Sequence, residues 1–163
     1  MDIKSRIVAI LEVAGGAALL GIALLSLPVA FQRQDIVSMI FVLLFAAISA
    51  YFLVTGFALW RNSHWGWKHS KIVQAILIPV LQLPIVSYQS FLGAGIFVGL
   101  FGSSLTVNFN FGGNFNLSFG TQSSGFGFGV NLLAIWCLYA LWSAGGPTAE
   151  APDSDTADPS SLR

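Results

Sequence analysis

The chain has 163 residues, of which 55% are apolar and only 9% are charged, and its formal net charge is zero. Soluble domains average about 25% charged residues, so this composition argues against a soluble domain and indicates an integral membrane protein. The sequence contains no basic run, which removes the electrostatic footprint of nucleic-acid binding, so we expect the lipid bilayer and no nucleic acid as a partner.

The first predicted element is a membrane-spanning helix over residues 7–30. Its apolar run extends from Ile7 to Phe31, longer than the roughly 7–15 residues of a signal-peptide core, so we expect an uncleaved helix. Small residues four apart, such as Ala14 and Ala18, predict that another helix backbone approaches closely in lipid. We therefore expect this helix at the centre of a bundle.

A second span is predicted over residues 36–60, with Asp35 as its N-terminal cap. Only a short polar link separates it from the first helix, so the two helices should form an antiparallel hairpin. The loop that follows mixes cations with indole side chains, a composition typical of the membrane interface. We expect its tryptophans to be interfacial anchors: Trp60, Trp65 and Trp67.

The third span is predicted over residues 72–90, with kinks at Pro79 and Pro84 because proline cannot donate the helical hydrogen bond. Residues 87–101 are compatible with more helix, a re-entrant segment or a first strand. Three glutamines fall along roughly one stripe of this span, where they would either hydrogen-bond a neighbouring helix or line a polar path: Gln74, Gln82 and Gln89.

Residues 105–119 alternate between apolar and polar side chains except at Gly112-Gly113, which predicts strand rather than helix. A three-residue loop, Gly112-Gly113-Asn114, pairs Phe111 with Phe115 and keeps apolar side chains together on one face. A further loop at Gln122-Ser123 extends this hairpin to an antiparallel β-meander over residues 105–129.

The predicted meander has two unlike faces. An open strand edge cannot face lipid hydrocarbon, so we expect the meander outside the membrane core. Its apolar face should rest on the outer ends of the helices or on lipid headgroups, or else on a partner protein. The same composition also occurs in aggregation-prone, low-complexity tracts. The polar face is a candidate interaction surface: Asn108, Asn110, Asn116 and Ser118.

The last predicted elements are a short fourth span over residues 128–144 and a disordered acidic cytoplasmic tail over residues 146–163, which lack the apolar content to fold. The resulting fold class is a mainly α membrane protein, a four-transmembrane-helix bundle with a small β-meander between helices 3 and 4, in a membrane domain over residues 1–145. Basic residues concentrate before the first span and between the second and third spans. The positive-inside rule therefore predicts a multi-pass inner-membrane (plasma-membrane) protein with both termini in the cytoplasm.

Glu12 is the acidic residue inside a predicted span, where a charge is costly unless it is paired, protonated or turned toward the bundle. Lys71 or Arg6 is the expected ion partner. The interpretations left open are a structural ion pair, a protonated hydrogen bond and a proton- or ion-coupled role.

No other polar group suggests chemistry. His64 and His69 lie close together, but the loop around them supplies no further metal ligands. The single cysteine, Cys137, lies in an apolar run and is typical of a small buried hydrophobic residue. We therefore predict no catalytic residue, no cofactor and no metal site.

The helical two thirds of the chain contain short runs that combine glycine with apolar or aromatic residues: Ile10–Gly16, Gly56–Trp60 followed by Trp65–Trp67, and Gly129–Leu133. These runs resemble uncharacterised small four-span bacterial inner-membrane proteins, which pair a glycine-rich first helix with an aromatic cytoplasmic loop. The resemblance implies an inner-membrane location and no activity. The alternating segment departs from the simplest such proteins.

Many packing features and no chemical motif favour a non-enzymatic membrane protein, acting as a scaffold or accessory subunit through the exposed meander. Its partner would be another membrane protein or a further copy of the chain. The alternative is a small transporter or channel component that uses Glu12 and the glutamine stripe.

Overall fold

The computed structural model describes residues 2–33, 36–83, 86–119 and 126–146. Helices and strands follow one another in the order α1 (Ile3–Arg33), α2 (Ile36–Trp60), α3 (His64–Leu77), β1 (Pro79–Gln82), β2 (Val86–Phe101), β3 (Ser104–Phe119), β4 (Gly127–Asn131) and α4 (Leu132–Ser143). Several expectations fall outside the described residues: the cap at Asp35, the kink at Pro84, the loop at Gln122-Ser123 and the tail beyond Gly146.

Two of the described helices are long and apolar enough to cross a membrane. They are residues 3–32 of α1, whose most apolar 18-residue stretch has a mean hydropathy of 2.3, and α2, whose most apolar stretch has a mean hydropathy of 2.6. A span needs about 20 residues, whereas α3 has 14 and α4 has 12. The described chain therefore provides two candidate spans and an antiparallel sheet, instead of the expected four spans.

α1 and α2 pack antiparallel through glycines that let their backbones approach. A Cβ at Gly16 would lie 2.7 Å from the Leu53 nitrogen, and a Cβ at Gly56 would lie 2.9 Å from the Val13 nitrogen. The expected contact through Ala14 and Ala18 is wrong, because both alanines are exposed. Gly16, and not the alanines, faces α2 in this helix.

The third span ends much earlier than expected. α3 begins at His64, inside the predicted loop, and ends at Leu77. Its buried residues recur at helical spacing, so it is an amphipathic helix that packs on the bundle: Trp67, Ser70, Val73, Gln74 and Leu77. Pro79 does not kink a helix but starts β1, where its missing amide costs no helical hydrogen bond.

β2 and β3 form one long hairpin. Their 16 residue pairs run from Val86 opposite Phe119 to Phe101 opposite Ser104, so the turn lies at Gly102-Ser103. The turn expected at Gly112-Gly113-Asn114 is wrong, since the pairing of β3 with β2 continues through these residues. β2 supplies an equally long apolar partner, which lets β3 pair along its whole length and removes the need for it to fold back on itself.

The residues after the hairpin also pair differently from the expected meander. The strand order is β1-β4-β2-β3, with β1 also pairing with β2. Phe128 of β4 lies opposite Leu81 and Leu100, not beside β3. These pairings close a circuit of β1, β2 and β4 around a small core of Val80, Phe91, Phe97 and Phe101.

α4 starts at Leu132, four residues later than the predicted fourth span. Gly127–Asn131 is strand β4, and the Asn131 side chain then caps the helix by accepting from the amides of Leu133 and Ala134. α4 packs on α1 and α3 through buried Cys137, Ala140 and Leu141.

The sheet lies alongside the middle of α1, not on the outer ends of the helices as expected. Gly15 of α1 touches the backbone of Gly93 in β2. A Cβ at Gly113 of β3 would lie 2.9 Å from the Gly15 carbonyl oxygen and would also meet Leu19. Since α1 is centred near residue 18, the contact lies close to the midpoint of a candidate span.

Candidate functional site

A polar cluster lies where α1, α2 and α3 meet. Glu12 of α1 is fully buried. Ser70 Oγ donates to Glu12 Oε2 at 2.6 Å, and Gln74 Nε2 donates to Glu12 Oε1 at 2.9 Å. Ser70 and Gln74 are one turn apart, so both donors come from one face of α3. On the other side, a Cβ at Gly56 would lie 2.9 Å from the Glu12 Cβ.

The Glu12 carboxyl group therefore has a hydrogen-bond donor at each oxygen. The expected ion pair with Lys71 or Arg6 does not occur: the Glu12 contacts in the described part of the chain are to neutral donors. Arg6 is exposed and Lys71 is half-buried. The geometry favours a structural role in which Glu12 ties α3 to α1.

The polar cluster is enclosed. A neighbouring cavity lined in part by Gln74, Asn131 and Cys137 has a volume of about 10 Å³. A space of this size holds roughly one water molecule. Glu12 and Gln74 therefore lie in a packed core beside a space too small for an open aqueous path.

The structure does not bring the three glutamines together. Gln74 belongs to α3, Gln82 to β1 and Gln89 to β2. Gln74 is buried against Glu12, whereas Gln82 and Gln89 are half-buried in the sheet. The single helical stripe is wrong because the chain changes from helix to strand after Leu77.

Sequence reasoning missed Asn131, which is 1% exposed. Its Oδ1 accepts from the Leu133 and Ala134 amides at the start of α4, and also from the Ile96 amide of β2 at 3.3 Å. An asparagine directly before an apolar run is a recognised helix-start signal. The hydrogen bond from the Ile96 amide joins segments that are distant in the sequence, so no local sequence pattern predicts it.

The three predicted anchors differ in environment. Trp60 and Trp65 are exposed, as an interfacial role requires, but Trp67 is buried and packs with Val8 and Leu59. The Trp67 indole donates to Asn62 Oδ1 at 2.9 Å. Trp67 is therefore a core residue, because its position on amphipathic α3 turns it toward α1.

Trp65 belongs to an aromatic group on the surface of α2 and α3. Its indole stacks on His69, with ring centroids 4.1 Å apart. The Tyr51 hydroxyl lies 2.7 Å from His69 Nδ1. Within the described residues, no cluster of three or more histidine, cysteine, aspartate or glutamate side chains could hold a metal ion.

One face of the sheet is an exposed apolar surface. Apolar residues on adjacent strands line it, every one of them more than half exposed: Leu100, Leu105, Val107, Phe109, Phe111 and Phe128. Their registers place them side by side, since Leu100 lies opposite both Leu105 and Phe128. We call this set the apolar sheet face. Contiguous exposed apolar surface of this kind marks a site of interaction with protein or membrane.

The predicted polar surface lies on the other side of β3. Asn108 is exposed and Asn110 is half-buried. Asn116 and Ser118 also belong to β3, opposite Gln89 and Ser87 of β2, but their side chains lie outside the described set. The four residues thus share a strand, and not the two arms of a hairpin.

Comparisons with family models, with curated proteins and with solved structures find no match to this chain.

Proposed function

We propose that this chain is an integral membrane protein, anchored by α1 and α2, that serves as a non-enzymatic scaffold or accessory subunit and uses its sheet for assembly. The observation that carries the proposal is the apolar sheet face, which is exposed in the single chain and lies mainly on β3, the strand whose Gly113 packs against the midpoint of α1. Lipid or another membrane protein would cover it.

The exposure of α2 supports the membrane anchor. Only 11% of its most apolar window is buried inside the fold, and the outward residues include Ile40, Phe41 and Leu44. A core helix of a soluble protein would instead be mostly buried. Apolar side chains exposed around a helix of this length are those that lipid solvates.

The distribution of basic residues supports a multi-pass arrangement. α1 and α2 are antiparallel, so Lys4 and Arg6 at the start of α1 lie at the same end of the pair as Arg61 after α2. Lys68 and Lys71 follow on α3. By the positive-inside rule this end faces the cytoplasm of a cell with an inner (plasma) membrane.

The experiment that tests the proposal has two parts. Carbonate washing of membranes should leave the protein in the pellet, and mild-detergent purification should recover it with bound protein, whether another membrane protein or further copies. Phe109→Asn should reduce that association, because it places an amide on the apolar sheet face. Asn108→Ser is the matched control on the opposite side of the same strand and should leave the association unchanged.

Two results would contradict the proposal. Release of the protein by carbonate would remove the membrane anchor. A strictly monomeric protein without partners, or association that Phe109→Asn leaves intact, would remove the role of the apolar sheet face.

A further inference from the structure

β3 leaves one edge open. It pairs with β2 over all 16 of its residues, and it stands at the end of the strand order. Within residues 2–33, 36–83, 86–119 and 126–146, no strand pairs with its other edge. An unpaired row of amides and carbonyls of this length is a template for another strand.

The position of this edge makes an unpaired state costly. The centre of β3 packs at Gly113 against Gly15 and Leu19, near the midpoint of α1. Under the proposed function, on which this step rests, that depth lies in the hydrocarbon core. Water cannot satisfy backbone groups there, and open sheet edges do not occur against lipid. Because the described strands supply no partner for it, the edge requires a further strand.

The sequence of β3 is nearly symmetric about Gly112. Residues at equal distances before and after this glycine belong to the same class, except for Phe111 and Gly113. The matched pairs are Asn110 with Asn114, Phe109 with Phe115, Asn108 with Asn116, Val107 with Leu117, Thr106 with Ser118, and Leu105 with Phe119. A strand with this symmetry is complementary to an antiparallel copy of itself.

We propose that β3 pairs antiparallel with β3 of a second copy of this chain, about a two-fold axis at Gly112. The two four-stranded sheets then form one continuous sheet. This register places asparagine opposite asparagine and apolar residue opposite apolar residue, and a shift by one residue would oppose the two classes. The contact uses the same surface on both copies, as two-fold symmetry requires.

The test is cross-linking between two differently tagged copies in native membranes. Both copies carry Cys137→Ala, which removes the natural cysteine. One carries Asn110→Cys and the other Asn114→Cys. Residues opposite each other on paired strands have Cβ atoms about 4.5–5.5 Å apart. Two cysteines at this distance can be joined by a disulfide under mild oxidation or by a short bismaleimide. We expect a mixed dimer that contains both tags.

The matched control carries Asn108→Cys in both copies. In the proposed register, position 108 lies opposite position 116 of the other copy, so the two cysteines are eight residues or about 26 Å apart. We expect no link. A 108–108 link would indicate parallel pairing and would overturn the proposal. So would a link from β3 to a different protein in place of the second copy.

Native mass spectrometry of the unmodified chain gives a second measurement that needs no cysteine variant. We expect twice the 17.4 kDa mass of one chain, and a single-chain mass would overturn the proposal. The protein could stay in carbonate-washed membranes and associate through Phe109 but show no 110–114 link. That result would overturn the pairing of β3 and leave the proposed function standing. Release by carbonate contradicts the proposed function, whereas the cross-link still reports the pairing.

Discussion

Gly15 of α1 and Gly93 of β2 lie in direct backbone contact. A Cβ at Gly15 would overlap the Gly93 nitrogen, and a Cβ at Gly93 would lie 2.7 Å from the Leu11 carbonyl oxygen. Gly93 also has a φ of +70°, which side-chain-bearing residues rarely adopt. These two glycines set how closely the hairpin of β2 and β3 approaches the middle of α1.

Gly15→Ala should therefore destabilise the fold. The added methyl group meets backbone atoms that cannot rotate away, and overpacking of this kind costs about 1–3 kcal/mol. Thermal unfolding in detergent measures the loss. Gly21→Ala is the matched control in the same helix, because a Cβ there would meet no atom within 4 Å. Helix propensity should make the control neutral or more stable by up to about 1 kcal/mol. Equal effects of both changes would contradict the close contact.

Glu12→Ala should be more harmful than Glu12→Gln. Alanine leaves the Ser70 hydroxyl and the Gln74 amide without their acceptor in a buried site, at a cost of about 2–4 kcal/mol. Glutamine keeps one acceptor, and the hydroxyl can reverse its direction, so most of the stability should remain. Denaturation in detergent would rank the two variants. If glutamine proved as harmful as alanine, the carboxylate charge itself would be required.

Glu12→Gln also tests the transporter alternative. The carboxyl group is fully buried and accepts a hydrogen bond at each oxygen, so we expect no ion or proton flux in liposomes that depends on Glu12. The measurement compares wild-type and variant protein at equal reconstitution. Flux that the variant abolishes while its unfolding temperature stays unchanged would establish a coupled role.

Asn131 can be dissected by two substitutions. Asn131→Ser keeps a helix-capping oxygen, but its side chain is too short to retain the bond to the Ile96 amide. Asn131→Ala loses both, with a capping cost of about 1–2 kcal/mol. We expect stability to fall from asparagine to serine to alanine. Equal stability of the serine variant and the wild type would show that the bond to β2 contributes nothing measurable.

The strand signal of β3 could be identified from the sequence, but its partner could not. Alternation over residues 105–119 identifies a strand whatever it pairs with, and the structure contains that strand. The near symmetry about Gly112 made a fold-back turn there fit the side-chain pattern equally well. β2 is buried or half-buried along most of its length and mixes glycine with phenylalanine. It therefore lacks the alternation of apolar and polar residues that would have identified it as a strand and as the partner of β3.

α3 shows the opposite limitation. The buried side of α3 includes Ser70 and Gln74 as well as Val73. The apolar periodicity is therefore interrupted by polar residues, which donate hydrogen bonds to Glu12. The position of Glu12 inside a predicted apolar span is enough to predict that it turns toward the bundle. Its partners lie 58 and 62 residues away and depend on where α3 begins and ends, which local patterns did not fix.

The membrane topology can be tested by labelling single cysteines in a Cys137→Ala background with a membrane-impermeant maleimide. Lys4→Cys at the start of α1 and Arg61→Cys after α2 replace exposed side chains at one end of the antiparallel pair, whereas Gln32→Cys lies at the other end. If both helices cross the bilayer, we expect Lys4→Cys and Arg61→Cys to be protected in intact cells and labelled after lysis, and Gln32→Cys to be labelled in both. Labelling of all three positions in intact cells would contradict the two spans, because a hairpin that crosses the membrane must separate its turn from its ends.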